Sequence, residues 1–92
     1  MTKSELLNLL SQGKTHLVIE NLERLIPKLD DDLRNEIVMQ AGRFRAFTLE
    51  RRNGVLTNEQ INTQFSKINH ALIEIINQLP SNQLDIISNR KN

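Results

Sequence analysis

The sequence predicts an all-α domain, a small four-helix bundle built around a long antiparallel helical hairpin. Three observations indicate this class: apolar residues recur at helical spacing, two capping boxes begin helices, and the 92 residues include only three glycines and two prolines. So few turn-forming residues do not suffice for the frequent tight hairpins of an all-β fold. Because independently folding units cluster at about 100–150 residues, a chain of this length forms one domain at most.

The first two predicted helices are short. Thr2 and the glutamate three residues later form a capping box before a helix over residues 3–12, and Gly13 ends that helix because glycine tolerates a positive φ. The second helix is predicted over residues 15–29, since its apolar residues repeat at helical spacing. Pro27 should bend or end this helix, because proline lacks an amide proton.

The third and fourth predicted helices are long and form the hairpin. The third covers residues 31–52, and the aspartate run at residues 30–32 supplies anions for its positive N-terminus. Gly54 ends this helix, and a second capping box, which begins at Thr57, starts the fourth over residues 58–79. Because the loop between the two helices is so short, they are expected to be antiparallel neighbours.

The hairpin helices each show one stripe of residues that should face the core. In the fourth helix the spacing alternates between four and three residues, which is the pattern of a continuous packing seam. The predicted core residues are Leu33, Ile37, Ala41, Phe44, Phe47 and Thr48 in the third helix, and Ile61, Phe65, Ile68, Leu72, Ile75 and Leu79 in the fourth.

Composition restricts the function classes. Twelve basic and eleven acidic side chains leave a net charge of +1, which argues against a strong positive field that would attract nucleic acid. The chain has no cysteine, which excludes disulfides and thiolate metal sites. It has no apolar stretch of about 18 residues and no leader pattern, so we expect a cytoplasmic domain without a membrane role. Residues 1–80 are predicted to form the domain, and residues 81–92 a polar tail or linker.

Few residues could carry chemistry. His16 and His70 are the only histidines and lie on different predicted helices, whereas zinc sites use three or four protein ligands. The chain has no glycine-rich phosphate loop and no recognisable Ser/His/Asp arrangement. We therefore expect no enzymatic activity, no cofactor and no metal. Gly42, in the middle of the third helix, either permits close approach of another helix or is simply tolerated.

Arginines line one side of the third helix. Arg34, Arg45 and Arg52 lie about 80–100° from Phe44 on a helical wheel. The stripe fits a solvated charged face, a protein contact or a phosphate contact. The phosphate interpretation is disfavoured, because all three phenylalanines are assigned to the core and none remains to stack on bases.

Two apolar residues and an acidic set complete the candidate contacts. Val38 and Leu49 lie beside the arginine stripe and are expected to pack on the first or second helix; if exposed, they would suit a partner surface. Acidic residues are available at Glu20, Glu23, Asp30, Asp31 and Asp32. Because one small domain would carry a basic and an acidic face, head-to-tail association is allowed.

Four segments carry a family resemblance: residues 32–37, 42–44, 54–60 and 68–80. The two shorter predicted helices that precede them also fit the family pattern. On these residues the chain resembles the bacterial effector-associated domains, in particular the type 11 variety, over about residues 3–80. Two positions depart from the family pattern. Phe44 stands where a tyrosine is expected, and Asn58 replaces a more usual acidic residue after the helix cap.

The resemblance implies a death-fold-like adaptor without catalytic residues. Such a domain couples an effector, such as a protease or TIR module, to a sensor in prokaryotic conflict or anti-phage immunity. Its expected partner is another domain of this kind, in a homotypic or heterotypic pair. A homotypic pair would be a homo-oligomer. The alternative is a small helical regulator that is antitoxin-like or associated with nucleic acid; the absence of a basic recognition helix counts against DNA.

Overall fold

The structure is a computed structural model that describes residues 2–80, which form four α-helices and no strand. This confirms the all-α bundle. The predicted tail at residues 81–92 lies outside the described residues. The helices are α1 (Lys3–Ser11), α2 (Thr15–Leu25), α3 (Asp31–Arg52) and α4 (Asn58–Gln78), with a 3₁₀ turn at Ile26–Lys28 between α2 and α3.

Both predicted capping boxes are present. The Thr2 hydroxyl accepts a hydrogen bond from the Glu5 backbone N–H at 3.1 Å, and the Glu5 carboxylate accepts one from the Thr2 N–H at 3.2 Å. The same reciprocal pair joins Thr57 and Gln60, at 3.1 and 2.9 Å. Backbone N–H groups at the starts of α1 and α4 are therefore satisfied locally.

The α3–α4 turn depends on Gly54, whose φ is +71°. The Gly54 N–H donates to the carbonyl of Arg51, and the Val55 N–H donates to that of Glu50, both at 3.2 Å. These two bonds form a Schellman motif, which needs a left-handed residue at its centre. The motif ends α3 sharply, so that α4 can turn back along it.

The second helix is shorter than its apolar pattern predicts. It ends at Leu25, four residues before the predicted end, and the chain continues as the 3₁₀ turn that contains Pro27. Leu29 has extended backbone angles, yet it is buried. The apolar spacing therefore continues past the helix end, because the turn keeps Leu29 on the core side. The Asp30 side chain then caps α3, accepting from the Leu33 N–H at 2.9 Å.

The α3 and α4 helices pack against each other more extensively than any other pair of helices, and α1 and α2 contribute to the same core. The buried residues of α1 and α2 are Leu6, Leu10, Val18, Ile19, Leu22 and Leu25. Phe47 is buried, with its ring centroid 6.5 Å from that of Phe44 and 5.9 Å from that of Phe65. The α3 and α4 core residues that are buried as predicted are Leu33, Ile37, Ala41, Phe47, Ile68, Leu72, Ile75 and Leu79; Phe44, Ile61 and Phe65 are partly buried.

Thr48 does not belong to the core, contrary to the prediction. Its side chain is exposed, and its hydroxyl donates to the Phe44 carbonyl one turn earlier at 2.8 Å. Position 48 lies within the angular range of the buried α3 residues but only one turn before the end of the helix, where no other described element covers its side chain. A threonine there satisfies its hydroxyl on its own helix and needs no partner from α4.

Contacts outside the predicted seam also hold the helices together. Ile76 is fully buried although it lies beside the α4 seam. The buried Thr15 hydroxyl donates to the side-chain oxygen of Asn69 at 3.1 Å, which joins the start of α2 to α4. The Lys3 Nζ donates to the Asn77 carbonyl at 3.2 Å, which joins the start of α1 to the end of α4.

Gly42 has no packing role within the described residues. It is exposed, and a Cβ added there would meet no atom within 4 Å, so no helix of residues 2–80 approaches it closely. A mid-helix glycine is less favourable than alanine by about 0.8–1 kcal/mol. We therefore expect Gly42→Ala to raise the free energy of unfolding of the monomer by up to about 1 kcal/mol, measured by urea denaturation at low protein concentration. An unchanged or lower midpoint would reveal a contact with Gly42 that the structure does not contain.

Candidate protein-interaction surface

The predicted contact residues of α3 share one side of the helix. At 100° per residue, Arg34, Val38, Arg45, Leu49 and Arg52 fall within an arc of about 60°. This arc adjoins α2 but is turned away from the core. Val38 is 57% and Leu49 54% exposed, so the prediction that they pack on α1 or α2 is wrong. The structure instead meets the condition set for a partner surface, an exposed apolar pair beside arginines.

Arg45 is joined to the acidic set. Its Nη2 donates to both carboxylate oxygens of Glu23 on α2, at 2.8 and 3.1 Å. The Arg45 side chain is 64% exposed, and exposed ion pairs contribute about 0.2–1 kcal/mol. The basic stripe and Glu23 are therefore neighbours on one surface and do not lie on opposite faces of the domain.

Arg34 holds the turn between α2 and α3. Its Nη2 donates to the Leu29 carbonyl at 3.3 Å, and its Nη1 lies 3.6 Å from the Asp31 carboxylate. Two of the three arginines thus have carboxylate partners within the chain, which weakens the phosphate interpretation further. Arg52, exposed in the last turn of α3, has no ion pair within residues 2–80.

The predicted acidic set does not form a single patch. Asp30 caps α3 and Asp31 lies beside Arg34, whereas Glu20 is exposed on α2. Asp32 is on the other side of α3, where it lines an open groove of about 400 Å³ together with Glu74 of α4. Asp30 and Asp31 therefore act locally at the start of α3, whereas Glu20 and Asp32 lie on two separate surfaces.

Met39 and Ala46, which were not predicted as contact residues, form a row on α3 together with Gly42 and Leu49. Met39 is 42% exposed, and Gly42 and Ala46 are exposed between it and Leu49. Positions 39, 42, 46 and 49 follow a 3-4-3 spacing, which is a detectable sequence signal for a second helix-packing seam. We call Met39, Gly42, Ala46 and Leu49 the outer strip.

Exposed large hydrophobic residues are concentrated here. Among residues 2–80 there are five, of which three belong to the outer side of α3: Val38, Met39 and Leu49. The others are Val55, in the α3–α4 turn, and Ile73 on α4. Val38 and Met39 are sequence neighbours, and Leu49 lies about 15 Å further along α3 at 1.5 Å per residue.

Groups suited to metal binding do not converge in the part of the chain that the structure describes. His16 and His70 are both exposed, on α2 and α4 respectively. No set of three or more histidine, cysteine, aspartate or glutamate residues within 2–80 is placed to hold a metal ion. In the same residues, no helix combines the length and apolarity that a membrane crossing needs.

Comparison with known proteins gives one finding. The family model of effector-associated domain 11 matches residues 1–80, which confirms the resemblance drawn from the sequence segments. No curated protein and no solved structure matches the chain.

Proposed function

Because this chain belongs to the effector-associated domain 11 family, we propose that it is a non-catalytic adaptor that binds another protein domain to connect an effector with its regulator. Effector-associated domains are generally regulatory or adaptor modules rather than catalytic ones, and the family is linked to effector domains in signalling or conflict systems. The effector, a protease, a TIR module or a similar enzyme, would be controlled through this association.

The observation that carries the proposal is the outer side of α3. Val38 and Leu49 are each more than half exposed, although folding favours burial of such side chains by about 1.5–3 kcal/mol each. Arg45 lies between Val38 and Leu49 along the helix, and Arg52 lies one turn after Leu49. Exposed apolar side chains with arginines beside them are the composition that protein–protein contacts favour.

The proposed partner is another effector-associated domain, in a homotypic or heterotypic pair, and the proposed setting is prokaryotic conflict or anti-phage immunity. We expect the pair to be weak and transient by itself, as in many signalling contacts. Recruitment by such a pair would then depend on the local concentration of the connected effectors.

A binding titration tests the proposal. The full chain is titrated by calorimetry with effector-associated domains encoded in the same genome, and Leu49→Asp is expected to weaken the binding at least about tenfold, or 1.4 kcal/mol. Val55→Asp is the matched control, because Val55 is also exposed but lies in the turn. The proposal fails if no such domain binds. The contact surface is elsewhere if both variants bind like the unchanged chain.

A further inference from the structure

The outer strip has no function in the fold of residues 2–80. On a helical wheel its centre lies about 180° from the centre of the buried α3 residues. Met39, Gly42, Ala46 and Leu49 are all exposed, so no other described element covers them. The spacing of the strip is nevertheless that of a packing seam, which indicates a helix supplied from outside the domain.

Gly42 and Ala46 make the middle of the outer strip small in side-chain volume. They are adjacent small residues, one turn apart at its middle, between the larger Met39 and Leu49. Gly42 disfavours the helix and relieves no contact within the domain. A glycine in this position allows a second helix backbone to approach closely.

The two edges of the strip carry different charges. In a heptad frame with Met39 and Ala46 at a and Gly42 and Leu49 at d, the g edge holds Val38, Arg45 and Arg52. The e edge holds Glu36, Arg43 and Glu50. One edge is therefore basic and the other mainly acidic.

We propose that the occupant of the outer strip is a second copy of this chain, with the two α3 helices parallel. This inference rests on the proposed function and assigns homotypic pairing to the outer strip. In a parallel pair the g edge of each helix meets the e edge of the other, so that Arg45 faces Glu50 of the second copy, five positions on. Gly42 and Ala46 then face their own counterparts.

The bonds of Arg45 leave room for this contact. Only Nη2 is bound to Glu23, and neither Nη1 nor Nε has a partner within residues 2–80. Because a guanidinium carries five N–H donors, Arg45 can hold Glu23 and also bind a second carboxylate. An antiparallel pair would instead bring like edges together, with Arg45 against Arg45 and Glu36 against Glu50, which is unfavourable.

The test uses the molar mass of the full chain, measured by sedimentation equilibrium over a concentration series. We expect the mass to rise from 10.7 kDa towards twice that value. Arg45→Glu alone and Glu50→Arg alone should each raise the dissociation constant at least about tenfold, or 1.4 kcal/mol. Mixing the two variants should restore pairing, because the mixed parallel pair again places opposite charges at both contacts.

Three outcomes would overturn the parallel pair: a mass that stays at 10.7 kDa at every concentration, mixed variants that pair no better than each alone, or self-association unaffected by Ala46→Gln. Ala46→Gln places a larger side chain where the two α3 helices would approach each other. Position 46 is exposed and glutamine is a good helix former, so the circular dichroism of the variant should be unchanged. If heterotypic titrations still show binding, the adaptor function stands and only this surface assignment fails.

Discussion

Replacement of Ile76 by alanine is expected to lower the free energy of unfolding by about 2–5 kcal/mol. Ile76 is fully buried on α4, so its removal leaves a cavity among side chains from several helices. A domain of this size has a total stability of only about 5–14 kcal/mol, at 0.05–0.15 kcal/mol per residue. The variant should therefore unfold at a much lower urea concentration, or fail to fold at physiological temperature.

Ile73 provides a matched control on the same helix. It is the same residue type, but it is 37% exposed, so Ile73→Ala should cost less than about 1 kcal/mol. Urea denaturation followed by circular dichroism measures both variants under one set of conditions. Equal losses for Ile73 and Ile76 would contradict the burial of Ile76 and, with it, the position of α4 against the other helices.

Reversal of two arginines should abolish partner binding without unfolding the domain. We expect Arg45→Glu with Arg52→Glu to weaken binding about 100-fold or more, close to 2.7 kcal/mol. Both side chains are exposed on the outer side of α3, so helicity should be retained. A glutamate at position 45 would face Glu23, which removes one exposed ion pair and lowers stability by only about 0.2–1 kcal/mol.

A second double variant separates a specific contact from net charge. Lys14→Glu with Lys28→Glu changes the net charge by the same amount, from +1 to −3, at exposed positions that do not belong to α3. Binding is measured by calorimetry at low and moderate salt, since screening weakens contacts between exposed charges. If both double variants lose binding equally, the arginines act through the overall field and not as a contact.

The sequence predicts the helices well because their signals are local. Thr2 and Thr57 mark helix starts, because each hydroxyl accepts a hydrogen bond from the backbone N–H three residues later. Gly54 marks a helix end, because its backbone adopts a positive φ. The end of α2 is harder to predict. Leu29 keeps the apolar spacing after the helix has stopped, because a 3₁₀ turn also returns a side chain to the core.

The surface is less predictable because exposure depends on neighbouring helices. Val38 and Leu49 could have packed on α1 or α2, and only the positions of those helices show that they remain exposed. The Arg45–Glu23 pair joins residues 22 positions apart, which no local pattern indicates. The outer strip, in contrast, has a regular spacing, but the same pattern is typical of core seams and does not identify an exposed one.

The hydrogen bond from Lys3 to the Asn77 carbonyl determines how a pulling force would act on the domain. It places both ends of the bundle at one pole, while the α3–α4 turn lies about 30 Å away along the hairpin, at 1.5 Å per residue. Tension between proteins attached before α1 and after α4 would peel these helices apart one contact at a time. Because the end of α4 also packs against the start of α3, the same tension would act on the open end of the hairpin.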